Sequence, residues 1–345
     1  MPRVRILDGG LGTSLEHKYG VCFSHQRPLW SSDLIVSDPK TLLECQSDFG
    51  NVPVDILTTA TYQVSLEGFA ATTAPQFPDG VDAASIPPFL DTALSIAAQA
   101  KRPEAAVALG LGPYGACMVP SQEYSGAYDS AHNSVQSLLQ WHEERLRLFT
   151  GLSGLKDRIG ILALETVPRV DEIVAIRKAI SRLPELAGVP FWISCLYPGD
   201  DGRLPDGTSA EDAITAMLGE DASSSRPWGI GINCTKVEKL DGLVRNYESA
   251  VSKLAKEGKI SQWPALVLYP DGTRGEVYNT TTQQWEVADT ASSAERAAWE
   301  TVLSQVVRDA STRGNWAEII VGGCCRSSSD DIAKLRNTLQ SQGLI

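Results

Sequence analysis

Eight short apolar runs, each followed by a stretch with helical periodicity, recur along the 345-residue chain and limit its fold more than any other feature. The runs lie at residues 3–7, 54–58, 105–111, 159–164, 191–196, 228–234, 265–268 and 318–321. Runs of this length, rich in Val, Ile and Leu and closed by Gly, Pro or Asp, read as buried strands. Helices are expected after the first strand through about residue 18, then at 38–50, 89–101, 134–150, 171–182, 241–256, 294–312 and 330–341. Asp38-Pro39 supplies an N-cap and a first-turn proline, Gly50 is placed to end that helix, and Ser209-x-x-Asp212 reads as a capping box. Residues 71–88 read as an irregular excursion and 271–289 as a polar hairpin. No linker or shift in composition divides the series. Count, alternation and length fit one (β/α)8 barrel over residues 1–345 better than a doubly wound open sheet.

Barrels of this kind carry their sites at the C-terminal ends of the strands. Asp8, Tyr62, Tyr114, Glu165, Cys234, Cys324 and Cys325 all stand at or just beyond such ends. The run Val321-Gly-Gly-Cys-Cys-Arg326 is the most informative. Neighbouring side chains on a regular strand point to opposite faces, so two adjacent thiols meet only if the chain bends. Gly322 and Gly323 free the backbone to do so. Converging thiols invite a thiophilic metal, and Cys234, closing its own glycine-rich run, is the candidate third ligand. Three protein ligands with a fourth position open mark a catalytic rather than a structural zinc site. Free cysteines are also among the most buried residue types, so spacing alone leaves a purely structural reading open.

Three thiolates would leave a divalent ion with a formal site charge of about −1, a weak Lewis acid that still holds a soft thiol as thiolate. Alkyl transfer to a substrate thiol is the natural chemistry of such a site. Asp8-Gly9-Gly10 suits close approach of backbone N–H groups to a ligand, although Asp-Gly is also a common turn. Glu165 is open to a capping or salt-bridge role, Tyr62 and Tyr114 to rim packing, and Arg326 to capping or pairing with an acid. Asn233 is expected to hold the Cys234 loop. Cys22, Cys45, Cys117 and Cys195 are expected not to be ligands.

A formal net charge of −12 argues against non-specific binding to nucleic acid or to an anionic membrane. No apolar signal-peptide core and no membrane-length apolar stretch is present. Seven irregularly spaced cysteines in a chain of this size suggest a reducing compartment, hence a cytoplasmic location.

Taken together, Asp8-Gly-Gly-Leu-Gly-Thr, Thr61-Tyr-Gln, Gly112-Pro-Tyr-Gly-Ala, Glu165-Thr-Val-Pro, Gly231-Ile-Asn-Cys-Thr and Val321-Gly-Gly-Cys-Cys-Arg resemble the homocysteine S-methyltransferases. The likeness is to the branch using S-methylmethionine or S-adenosylmethionine, and it covers nearly the whole chain. It implies a Zn2+ enzyme with Cys234, Cys324 and Cys325 as thiolate ligands and Glu165 facing the amino group of homocysteine. It further implies that the loop at Asp8, Gly9 and Gly10 holds substrate near backbone amides. A cationic donor would meet Tyr62 or Tyr114 through cation–π contact. Pro270-Asp271-Gly272 departs from the Pro-Asn of many relatives, and Asp330 and Asp331 stand where a His often follows the cysteine pair. Residues 71–88 and 219–227 have no placed counterpart. Two other classes stay open: the same chemistry with selenocysteine or betaine, and a zinc-binding barrel without turnover. The oligomeric state is not encoded in any motif.

Overall fold

The eight apolar runs become eight strands, and the polar segment after the seventh adds two more, in the computed structural model, which describes residues 1–24, 26–273, 276–279, 284–287 and 297–345. The strands are β1 Arg3–Ile6, β2 Ile56–Thr58, β3 Ala106–Leu111, β4 Ile161–Val167, β5 Phe191–Cys195, β6 Gly229–Lys236, β7 Ala265–Asp271, β8 Glu276–Asn279, β9 Gln284–Val287 and β10 Glu318–Val321. The α-helices are α1 Leu11–Tyr19, α2 Leu34–Ser37, α3 Pro39–Asn51, α4 Leu66–Ala70, α5 Pro87–Ala100, α6 Val135–Thr150, α7 Leu155–Arg158, α8 Val170–Ser181, α9 Ala210–Leu218, α10 Leu240–Lys256, α11 Trp299–Arg313 and α12 Ser329–Ser341. Eight strands form one parallel sheet in the order β1-β10-β7-β6-β5-β4-β3-β2. A parallel bridge between Leu7 and Ile56 joins its two ends, so the expected (β/α)8 barrel closes. Among the described residues no helix is long and apolar enough to cross a membrane.

Strand periodicity divides the apolar side chains into two layers. Leu7, Ile56, Ala108, Ile161, Ala163, Trp192, Val267, Tyr269 and Ile320 point inward and form the barrel's own core. Their neighbours, such as Leu162, Leu164, Leu266, Leu268, Ile319 and Val321, point outward into the larger layer beneath the helices. Along β4 the inward series Ile161, Ala163 continues to Glu165, which therefore projects into the mouth of the barrel.

Several local expectations are corrected. Gly50 lies within α3 rather than ending it; a Cβ there would sit 1.8 Å from the Ala100 carbonyl, so this glycine lets α3 and α5 approach. Ser209 accepts from the Asp212 N–H as N-cap of α9, whereas the reciprocal capping box belongs to Ser328 and Asp331 at the start of α12. β4 continues to Val167 and β7 to Asp271, beyond their expected ends, which puts Glu165 inside a strand. The hairpin expected at 271–289 is found as the antiparallel pair β8–β9, with 274–275, 280–283 and 288–289 outside the described residues. The helix expected from 294 is described from Trp299, residues 294–296 also lying outside. The excursion expected at 71–88 holds an isolated antiparallel bridge between Ala74 and Phe77 and a 3-10 turn, Ala83–Ser85, and ends at Ile86, because α5 starts at Pro87.

Candidate active site

Two strand ends are bent by irregularities that re-aim side chains. The β4–β5 register shifts between Leu164 and Val167, and the β6–β7 register between Asn233 and Lys236. Inside these bulges Thr166 and Cys234 have positive φ, 61° and 46°. Such angles are uncommon without glycine and persist only where surroundings enforce them. The enforcement is visible: the buried Asn233 side chain accepts from the Thr166 N–H at 2.9 Å and donates to Thr166 Oγ1 at 2.7 Å. Asn233 thus fixes the Cys234 end and the Glu165 end together.

At the β10 exit Gly322 and Gly323 act differently from the expectation, since neither takes a positive φ. A Cβ on Gly322 would lie 2.6 Å from the Asp8 carbonyl oxygen, and one on Gly323 2.3 Å from Ser327 Cβ. The glycines allow close packing against the β1 loop and the start of α12. Gly323 N–H donates to Asp8 O at 2.9 Å and Cys324 N–H to Pro270 O at 2.8 Å, which sets the two cysteines in place.

Cys234, Cys324 and Cys325 gather there, with all three Sγ atoms within 4.8 Å of one another and the Cys234 and Cys324 sulfurs in disulfide contact. The other four cysteines lie elsewhere: Cys45 and Cys195 are buried, Cys117 half-buried and Cys22 exposed. Burial pushes the Cys325 thiol up to about 12, against a partial offset from the Tyr124 hydroxyl. A bare Cys325 would thus stay protonated, and a cation beside it is what would make it a thiolate. Three soft donors on one wall, in reduced form, suit a thiophilic divalent ion.

All three cysteines line a cavity of about 160 Å³ at the barrel mouth, together with Asp8, Gly9, Gly10, Tyr62 and Glu165. Glu165 is raised to about 8 by desolvation and by the neighbouring Asp8 carboxylate, with a hydrogen bond from Tyr269 pulling the other way. Asp8 is raised to about 7 by burial despite hydrogen bonds from the Thr58 N–H at 2.7 Å and the Thr58 hydroxyl at 3.0 Å. Asp8 therefore ties the β1 exit to β2. Among the amides expected to meet substrate, Asp8 N–H is spent on Ile56 O and Gly10 N–H on Ser327 O. The N-terminus of α1, where no side chain caps the helix, also borders the cavity: Leu11, Gly12 and Thr13 line it.

The two tyrosines part company. Tyr62 lines the cavity, whereas Tyr114 turns away and stacks on His132 with ring centroids 4.2 Å apart. The Tyr114 hydroxyl donates to Asp129, and its backbone N–H to Glu172 Oε1 at 2.7 Å. A polar anchor and an aromatic cluster with Tyr128 and Trp141 explain why it leaves the mouth. Tyr124, ten residues on, faces the cavity instead. Arg326 pairs with Glu276 at 3.3 Å and covers the Trp285 ring, so it binds the hairpin to the β10 loop.

Sequence reasoning passed over Glu123, Tyr124, Tyr269, Arg145 and Glu172. The first three line the cavity or touch its residues. Buried Arg145 donates to the carbonyls of Val64 at 2.6 Å, Gly112 at 2.5 Å and Tyr62 at 2.6 Å, holding the loops after β2 and β3 together. Glu172, also buried, receives His142 Nε2 at 2.8 Å and the Tyr114 N–H. The signal for this pair of anchors was present: His142 and Arg145 occupy the face of α6 that Leu138, Trp141, Leu146 and Phe149 bury.

A closed parallel barrel whose strand ends assemble three cysteine sulfurs beside buried carboxyls and aromatic rings defines a sulfur-lined (β/α)8 enzyme site. The family model described as homocysteine S-methyltransferase matches residues 5–339, and the chain belongs to that family. It is 27% identical to a homocysteine S-methyltransferase of Bacillus subtilis over 96% of this chain and 92% of that protein. It is 28% identical to a betaine-homocysteine S-methyltransferase of Drosophila melanogaster over 90% and 86%. The oxidized form of the homocysteine methyltransferase MmuM from Escherichia coli superposes with a TM-score of 0.69 at 25% identity, covering 97% of this chain and 96% of that one.

Proposed function

We propose that this protein, as one barrel domain over residues 1–345, transfers a methyl group from a sulfonium donor to the thiol of L-homocysteine and forms methionine in a zinc-dependent reaction. The observation that carries the reading is the convergence of the Cys234, Cys324 and Cys325 sulfurs within 4.8 Å on the wall of the cavity that also contains Glu165. Zinc held by these three thiolates would supply a site that favours a soft substrate thiolate at neutral pH. Glu165 receives the ammonium group of homocysteine, and the α1 N-terminus faces its carboxylate, as helix N-termini do for anions. The substrate sulfur attacks the methyl carbon in line; a new C–S bond forms as the donor's C–S bond breaks, and the donor leaves as a neutral thioether. With S-methylmethionine both products are methionine. Most of the acceleration comes from alignment of the two sulfurs across the methyl. Tyr62 and Tyr124 offer ring faces to the sulfonium, a contact worth about 0.5–2 kcal/mol.

The carboxyls of Asp8, Glu123 and Glu165 in one cavity favour a donor with net positive charge. That ranks a sulfonium amino acid above betaine, which is net neutral. A reducing, cytoplasmic setting would keep the three cysteines as the thiolates this reading needs. No separate folate, cobalamin or nucleotide is required for this transfer. The test is methionine formation from homocysteine with S-methylmethionine, S-adenosylmethionine and betaine in parallel. S-methylmethionine is expected to give the highest kcat/KM. Absence of methionine with every donor, using zinc-loaded reduced protein, overturns the reading.

A further inference from the structure

Glu123 has a carboxylate that the protein serves on one side only: the Ser121 side chain and its own backbone N–H bond to it, and one oxygen is left over. It lies in the loop after β3, is only 8% exposed and lines the cavity. Its Oε2 is buried without a hydrogen-bond partner, and no cationic side chain among the described residues forms an ion pair with it. The other carboxyls around the site are served: Asp8 by Thr58, Glu165 by Tyr269, Glu172 by His142 and the Tyr114 N–H. Burying a carboxylate oxygen without a donor is unfavourable, so a retained one marks the place where a ligand brings the missing donor.

The loop that carries Glu123 is built to hold it still. Gln122 N–H donates to Gly115 O at 2.8 Å and Gly126 N–H to Gln122 O at 2.8 Å. Arg169 Nη1 donates to Gly126 O at 3.1 Å, and Glu172 anchors the loop at Tyr114 and Tyr128. Tyr62 and Tyr124 are near enough for the Glu123 charge to oppose their ionisation, so the carboxylate stands beside the two rings assigned to the donor.

We propose that Glu123 binds the α-ammonium group of the sulfonium donor, so that the cavity holds two amino acids, each by its own carboxylate: the acceptor on Glu165 and the donor on Glu123. The inference rests on the methyl-transfer reading above and deepens it. An ammonium fits the vacant Oε2 better than the sulfonium does, because it brings N–H donors and a sulfonium has none. The sulfonium charge also vanishes as the methyl leaves. A carboxylate set against it would stabilise the ground state more than the transition state. The ammonium charge persists through the reaction, so Glu123 contributes binding and selection of donor without opposing the transfer.

The test compares wild type and Glu123→Gln with two donors, S-methylmethionine and 4-(dimethylsulfonio)butanoate, the same molecule without its amino group. Loss of one charge-assisted contact should raise KM for S-methylmethionine about ten- to a hundredfold in the variant, with kcat within a few-fold. The variant should handle the deamino donor as wild type does, within about twofold, and keep wild-type affinity for homocysteine by calorimetry. In wild type alone, S-methylmethionine should exceed the deamino donor by a similar factor in kcat/KM, a measurement that stands even if the variant does not fold. Equal losses with both donors, no loss with either, or weakened homocysteine binding overturns the assignment. Methionine formation that persists in these cases leaves the methyl-transfer reading intact, whereas no turnover by wild type with any donor removes both.

Discussion

Glu165, proposed to receive the ammonium group of homocysteine, shows what such a role demands of a single residue. Its carboxyl, raised to about 8, is held by the fold in the form that cannot yet pair with an ammonium. A carboxyl whose pKa is higher folded than unfolded contributes stability at low pH that is lost as pH rises through the folded value. For Glu165 that window runs from about 4.5 to about 8. The ligand-free protein should therefore lose stability across this range. Glu165→Gln, which cannot ionise, should melt about 2–4 °C above wild type at pH 8.5 and close to wild type at pH 5 in a thermal scan. The same variant should bind homocysteine more weakly by roughly 2–5 kcal/mol in calorimetry while keeping its metal. Equal homocysteine affinity would remove Glu165 from the amino-acid pocket.

Bulged strand ends are the elements on which the site depends. β4 and β6 each leave their register just where Glu165 and Cys234 must turn toward the cavity, and the Asn233 side chain spans the gap between them. Asn233→Ala removes both hydrogen bonds and leaves the Thr166 N–H buried without its acceptor. That should lower stability by about 2–4 kcal/mol in urea unfolding. Because both bulges relax together, kcat/KM should fall further than the stability loss alone requires, measured where the variant is fully folded. Wild-type stability in Asn233→Ala would show that the strained angles at Thr166 and Cys234 are held by something else.

At the scale of the whole molecule, the thiols join only because the sheet order sets β6 and β10 on either side of β7. Cys234 lies in the bulged end of β6 and the cysteine pair follows β10, and β7 lies between these strands in the sheet although 90 residues of chain separate Cys234 from Cys324. Metal binding and folding are then linked, since the unfolded chain holds no preformed site. Reduced protein should carry about one zinc by elemental analysis. Its removal should lower Tm by several degrees, and Cys234→Ala, Cys324→Ala and Cys325→Ala should each abolish both the zinc and the Tm difference. Stoichiometric zinc in all three variants would overturn the ligand set.

The alternation of apolar runs was enough to specify the barrel, because buried parallel strands must be apolar on both faces and such stretches stand out along a chain. Motif order likewise pointed to the cysteines, Glu165 and the Asp8 loop, since each stands near the C-terminal end of a strand and those ends share one face of a barrel. Gly322, Gly323 and Gly50 were legible as glycines but not as to purpose: a turn and a close approach demand the same residue, and only the neighbouring backbone distinguishes them. Tyr114 and Tyr124 show the same limit, for either tyrosine of that loop could have faced the cavity. The anchor from Glu172, 58 residues away from Tyr114, turns one ring out, and Tyr124 faces the cavity in its place. Glu123 carries no sequence signal as a lone acid in a loop. Its meaning lies in burial and an empty acceptor, and those are properties of tertiary structure alone.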